Sequence, residues 1–316
     1  MTGTPRLVLG TMTFGDTVSA ADAETMLDAA LDAGITDVDT ANGYAKGATE
    51  ELLAPLVAAR RDRIRLATKA GMPHPDAGEH SPLSPQGLRA GVEGSLRRLG
   101  VDHIDLFYLH QPDYAARVED TLSTVADLVT EGKIRELGVS NFAAWQIVEL
   151  NHVADRVGAP RPVVAQQLCN LLARRIEEEY AAMAAATGLE TMVYNPLGGG
   201  LLTGKHRFGA EPGTGRFGDS VLAGMYRKRY WDERLFEAVA TLEGIAGQAG
   251  LPLTELALRW LLNRPVVGSI LLGASSLDHL VANIAALGRG PLPDDIAAAC
   301  DEVGAELRGP MPNYNR

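Results

Sequence analysis

Short apolar runs rich in β-branched residues alternate along this chain with longer stretches whose apolar residues recur at helical spacing. The short runs predict strands over 7–11, 36–41, 64–69, 104–110, 136–141, 163–168, 190–196 and 267–273. The longer ones predict helices between them, among others over 20–33, 48–60, 84–99, 118–132 and 143–157. Ser84 followed by Pro85 is a helix-start signal: a side chain that can cap, then a residue with its φ preset at the first turn. Eight strand–helix alternations point to a parallel sheet closed on itself, a (β/α)8 TIM barrel in the α/β class. The regularity breaks after the seventh strand, where 206–231 form a connection rich in Gly and Arg of the kind used as a lid. A tail with one more helical stretch runs from 291 to 316, and no internal boundary divides 1–316, so a single barrel domain is expected.

Composition narrows the class of partner. A net charge of −11 argues against nucleic acid or an anionic membrane as the main partner, leaving a small molecule. The two cysteines, Cys169 and Cys300, lie far apart without metal-ligand spacing, so neither a disulfide framework nor a metal is expected. The N-terminus lacks the basic segment and apolar run of a signal peptide, and no stretch has the length of a membrane span. A cytoplasmic protein is expected.

In such a barrel the chemistry sits where strands end, so polar residues at strand C-termini are the ones to inspect: Asp39, Lys69, His110, Ser140, Asn141, Gln166 and Tyr194. Asp39, Lys69 and His110 end three successive strands, and Tyr44 follows in the loop DTANGY. Taken singly they read as a structural ion pair beside a satisfied core histidine. Together they form an acid–base group. A tyrosine is a poor acid or base near neutrality, a neighbouring lysine cation favours its phenolate, and an aspartate keeps that lysine charged. The histidine is placed to donate a hydrogen bond to a substrate carbonyl.

The segments LGTMTFG (9–15), DVDTANGY (37–44), ATKAG (67–71), HIDLFYLHQPD (103–113), GKIRELGVSN (132–141) and YNPLGGGLLTGK (194–205) resemble the aldo-keto reductase superfamily in order and spacing. The resemblance covers nearly the whole chain, and the family's catalytic tetrad falls on Asp39, Tyr44, Lys69 and His110. It implies hydride transfer from a nicotinamide to a carbonyl carbon, with Tyr44 protonating the oxygen. The stretch GRFGDSVLAGMYRKRYW (215–231) and the terminal PNYNR resemble the aflatoxin-aldehyde and succinic-semialdehyde reductase branch. A nicotinamide-binding regulatory subunit, as in the potassium-channel β-subunit relatives, is the alternative that an intact tetrad leaves open.

The GxGxxG fingerprint of a Rossmann enzyme is absent from its usual place. The resemblance instead implies that Ser140, Asn141 and Gln166 bind the nicotinamide carboxamide and that Tyr194 stacks on the ring. The segment 195–205 would wrap the pyrophosphate through Asn195, Leu197, Gly198, Gly200, Leu201 and Lys205; its triple glycine allows close backbone approach. At the adenosine end the chain departs from many relatives. No Arg or Lys lies within 273–283, leaving Ser275, Ser276, His279 and Asn283 as donors, with Arg216 able to supply the missing charge. NADPH is therefore expected, with NADH as the alternative. Substrate contacts implied by the branch are His110, Tyr226, Arg229 and Arg316, arginine being suited to a carboxylate. Phe14, Trp145 and Trp231 are candidates for the pocket wall or the core. Cys169, where many relatives have tyrosine, reads as a packing residue or else a redox-sensitive thiol. The branch also implies a homodimer.

Overall fold

The computed structural model describes residues 4–310, so the expectation for Arg316 and the terminal PNYNR lies outside the described residues. Eight strands, β1 (Arg6–Gly10), β2 (Asp37–Asp39), β3 (Arg65–Ala70), β4 (Ile104–Leu109), β5 (Ile134–Ser140), β6 (Val164–Leu168), β7 (Glu190–Tyr194) and β8 (Ser269–Leu272), pair in parallel and in sequence order. The β1–β8 ladder, with Val8 opposite Leu271, closes the (β/α)8 barrel. Seven helices lie outside it in the repeat: α1 (Ala20–Asp32), α2 (Ala48–Ala58), α3 (Pro85–Leu99), α4 (Val118–Thr130), α5 (Ala144–Val157), α6 (Tyr180–Thr187) and, beyond the long connection, α9 (Leu253–Leu262). α7 (Ala223–Tyr230) and α8 (Glu233–Gln248) interrupt the repeat, and α10 (Leu277–Gly288) and α11 (Asp294–Arg308) follow β8.

Local sequence accounts for the helix ends. The Ser84 hydroxyl accepts the Gly87 N–H at 3.2 Å, Pro85 opens the first turn of α3, and Gly100 ends it at φ 65°.

Inside the barrel, Val8, Ala67, Leu106, Tyr108, Val164 and Met192 pack as one cluster. Large and small residues must alternate there. Tyr108 fits because its β5 neighbour is Gly138, where a Cβ would come within 2.6 Å of the ring. The last described helix is pinned through Asp301, which accepts the Trp260 indole N–H at 2.9 Å and an Arg264 N–H at 3.0 Å. Arg174 and Arg264 lie 4.8 and 4.7 Å from the Trp260 ring. These contacts tie Asp301 of α11 to Trp260 of α9 and to Arg264 just beyond it.

Candidate active site

Beyond Asp39 the chain stays attached to β3, through Thr40 N–H to Ala67 O at 2.9 Å and Asn42 N–H to Lys69 O at 3.1 Å. That attachment carries the chain to Tyr44, which opens a tight turn in which Ala45 and Lys46 have φ of 45° and 57°, followed by Gly47 at 98°. Two non-glycine residues in the left-handed region cost about 1 kcal/mol each or more, a strain of the kind concentrated at functional sites. The turn places the Tyr44 hydroxyl 3.3 Å from Lys69 Nζ, which donates to Asp39 Oδ1 and, at 2.8 Å, to the Thr40 carbonyl. Lys69 and Asp39 are both fully buried. Unpaired, either charge would cost several kcal/mol, so each needs the other. His110, at the end of β4, is held by its N–H to Ala70 O at 2.8 Å and meets Tyr44 edge-to-face at 6.1 Å. The three strand ends and the loop tyrosine converge as the sequence pattern predicts.

Electrostatics assigns them different tasks. Burial acts to lower the Lys69 pKa but is outweighed by the charge of Asp39 and by Tyr44, so the ammonium is held above its ordinary range. Burial pushes the Tyr44 phenol up, against the pull of the Lys69 cation. This corrects the expectation that the lysine would bring Tyr44 below its solution value: in a site this dry, desolvation outweighs the cation. Tyr44 is therefore a neutral phenol at working pH, a group with a proton to give. Burial first, and then Lys69, lowers His110 to about 3, so its imidazole is neutral. Its Nδ1 is buried without a hydrogen-bond partner, unlike the satisfied core histidine of the structural reading.

The residues expected around a cofactor line the same mouth. Asn141, at φ 63°, donates to the His110 carbonyl at 3.0 Å and accepts the Tyr194 hydroxyl at 2.6 Å, tying the ends of β4 and β7 together. Ser140 and Gln166 are buried beside it in register on β5 and β6. From Asn195 the chain turns through Gly198, Gly199 and Gly200, all at positive φ, and Leu197, Leu201 and Lys205 follow the same path. Tyr226 packs so closely there that a Cβ on Gly199 would lie 2.5 Å from its ring. Tyr226 is only 2% exposed, and its hydroxyl donates to Asn195 Oδ1 at 3.2 Å, so it forms the floor of this segment. Arg216 sits between Asp16 at 3.6 Å and the Tyr226 ring at 5.3 Å. Ser275 and His279 meet at 3.1 Å at the start of α10, and Asn283 is buried one turn further on.

On the substrate side, Arg229 is exposed and without an acidic partner among the described residues; its charge and a hydrogen bond act on Tyr194. The three aromatic candidates separate. Phe14 is core, Trp231 packs with Phe217 and Phe236, and Trp145 is 61% exposed on α5. Cys169 is fully buried and its thiol is pushed up to about 12 by burial, the environment of a packing residue. Asp16 is a residue the sequence reading does not single out. It accepts the Ser220 hydroxyl at 2.8 Å and so joins the first βα loop to the long connection. Its place just after the 9–15 segment was the available signal. Among the described residues no cluster of metal ligands occurs and no helix is long and apolar enough to cross a membrane.

The fold is a parallel eight-stranded barrel whose mouth sets a buried lysine–aspartate pair against a tyrosine and a histidine. The aldo/keto reductase family model matches residues 6–305. Aldo-keto reductase family 7 member A3 of Homo sapiens is 36% identical over 99% of this chain and 97% of its own length. Aflatoxin B1 aldehyde reductase member 2 of Mus musculus is 36% identical over 99% of this chain and 88% of its own. A probable voltage-gated potassium channel subunit beta of Oryza sativa subsp. japonica is 32% identical over 89% of this chain and 86% of its own. The chain belongs to the aldo/keto reductase family, and with it to the nicotinamide-dependent oxidoreductases of carbonyl groups.

Proposed function

We propose that the protein is an NADPH-dependent aldehyde reductase in which Tyr44 is the proton donor. The observation that carries this reading is the buried Lys69 ammonium, held by Asp39 and directed at the Tyr44 hydroxyl. The residues fit a dinucleotide. Asn195 Nδ2 and Arg216 Nη1 are buried donors without hydrogen-bond partners, and the three glycines leave a backbone cradle beside them. Ser140, Asn141, Gln166 and Tyr194 would hold the nicotinamide, the 195–205 segment the pyrophosphate, and Ser275, His279 and Asn283 the adenosine end, with Arg216 supplying the charge for its 2′-phosphate. Arg216 is the cation that favours NADPH over NADH. When bound, the cofactor supplies a hydride to the carbonyl carbon.

The chain's own residues do the rest. The Tyr44 O–H donates its proton to the carbonyl oxygen as negative charge develops there. Lys69 stabilises the phenolate left behind, and Asp39 keeps Lys69 charged during the transfer. Neutral His110 orients the carbonyl by a hydrogen bond from its ring N–H; lowered to about 3, it carries no imidazolium proton to deliver. The exposed Arg229 guanidinium, without an acidic partner among the described residues, supports an aldehyde that carries a carboxylate.

The test is NADPH consumption with succinic semialdehyde and with 4-nitrobenzaldehyde. Replacing Arg229→Ala is expected to raise KM for the acid aldehyde roughly ten- to a hundredfold, the worth of a charge-assisted hydrogen bond, while the uncharged aldehyde barely changes. Equal effects on both would contradict the carboxylate role. Tight NADPH binding without turnover of any aldehyde would favour a nicotinamide-binding regulatory subunit instead.

A further inference from the structure

Asp39 is fully buried and has two carboxylate oxygens to satisfy. Lys69 Nζ takes Oδ1. Oδ2 receives one hydrogen bond, from Gln166 Nε2 at 3.0 Å. The two residues stand on β2 and β6, four strands apart in a closed ring of eight, so the bond crosses the barrel from one wall to the other. The Gln166 amide is also held from its second side, 3.3 Å from the Met192 sulfur on β7, and that sulfur lies 3.7 Å from the Tyr108 hydroxyl on β4. A carboxylate and a thioether both accept only, so the NH2 of Gln166 must face them, and the amide has one orientation. Gln166 is 3% exposed, Met192 1% and Tyr108 buried outright, so water does not replace these contacts.

We propose that Gln166 is a positioning residue for the proton donor: its amide fixes the Asp39 carboxylate, and through it the Lys69 ammonium, against the Tyr44 hydroxyl. This goes beyond holding a cofactor carboxamide and rests on the reading of Tyr44 as the acid. Without the amide, one oxygen of a fully buried carboxylate loses its partner, which disfavours the charged form. Lys69 is then held less firmly, and the phenolate that forms at Tyr44 is less well stabilised.

The experiment compares Gln166→Met, which keeps length and loses the donor, with Gln166→Glu, each in the wild-type and Tyr44→Phe backgrounds. The readouts are kcat at saturating NADPH and aldehyde across pH, and the NADPH dissociation constant by fluorescence. In the wild-type background Gln166→Met is expected to lower kcat roughly tenfold at every pH, the scale of one hydrogen bond to a charged group. Gln166→Glu is expected to recover turnover at low pH, where a neutral carboxyl donates to Asp39, and to lose it as pH rises and two carboxylates face each other. In the Tyr44→Phe background Gln166→Met is expected to have no further effect on kcat, because the two act as one unit. A weaker NADPH affinity with kcat unchanged in both Gln166 variants would overturn the proposal, leaving a carboxamide anchor. Equal loss of kcat from Gln166→Met in both backgrounds would also overturn it, while a turnover defect in Tyr44→Phe itself keeps the acid reading. Full turnover in Tyr44→Phe would remove that reading, and the proposal with it.

Discussion

Tyr44 is subject to two opposing influences, burial that raises its pKa and the Lys69 cation that lowers it, and burial prevails. The sign of this balance matters for rate. Reduction needs the protonated phenol, so turnover is expected to be insensitive to Tyr44 ionisation through neutral and mildly alkaline pH and to fall only above pH 10, the ordinary tyrosine value. A kcat profile for aldehyde reduction that falls with an apparent pKa near 7 would contradict it. An acid limb from His110 is expected to be absent from the same profile until pH approaches 3, because burial and Lys69 keep the imidazole neutral. At this scale Asp39, Tyr44, Lys69 and His110 are legible in the sequence, since each is a polar residue at a strand end or just past it. The hydrogen bond from Gln166 to Asp39 is not, because it joins residues 127 positions apart through a barrel whose closure no local pattern specifies. The direction of the Tyr44 shift is hidden for a related reason: a sequence names the cation but not the dryness of the site.

Among the elements, strands and barrel helices follow from periodicity, and their observed ends differ from the expected ones by a few residues. β2 is the clearest difference, ending at Asp39 where a strand to 41 is expected, because beyond it the chain turns to present Tyr44. The long connection after β7 is less legible. It reads as a Gly- and Arg-rich loop, yet it contains α7, whose buried Tyr226 and Tyr230 are four residues apart on one face. Those tyrosines were the available signal, outweighed by the three basic residues that follow Tyr226. Gly199 joins this helix to the cofactor segment. It has φ 69°, and a Cβ there would collide with Tyr226. Gly199→Ala is expected to destabilise the fold by roughly 1–3 kcal/mol and to weaken NADPH binding, because both the backbone and Tyr226 must shift. Denaturant midpoint and cofactor affinity check it together; an unchanged affinity would show that the Gly198–Gly200 turn is not part of the phosphate cradle.

For the whole molecule, the closed barrel brings side chains from several strands and loops to one mouth, while the Trp260–Asp301 clamp secures α11 beside the barrel. The barrel is legible from the count and order of alternating segments; the clamp is not, because Arg174, Trp260, Arg264 and Asp301 come from scattered segments and meet only when folded. Family membership establishes carbonyl oxidoreduction, and the placement of Lys69 against the Tyr44 hydroxyl supports the proposal that one phenol delivers the proton. Tyr44→Phe removes that single oxygen and leaves the ring. Single-turnover and steady-state reduction of an aldehyde, measured beside NADPH affinity, tests the claim most directly. Tyr44→Phe is expected to lose about a hundredfold or more in turnover, the scale of general acid catalysis, with NADPH affinity retained. Turnover equal to that of the unaltered protein would contradict it.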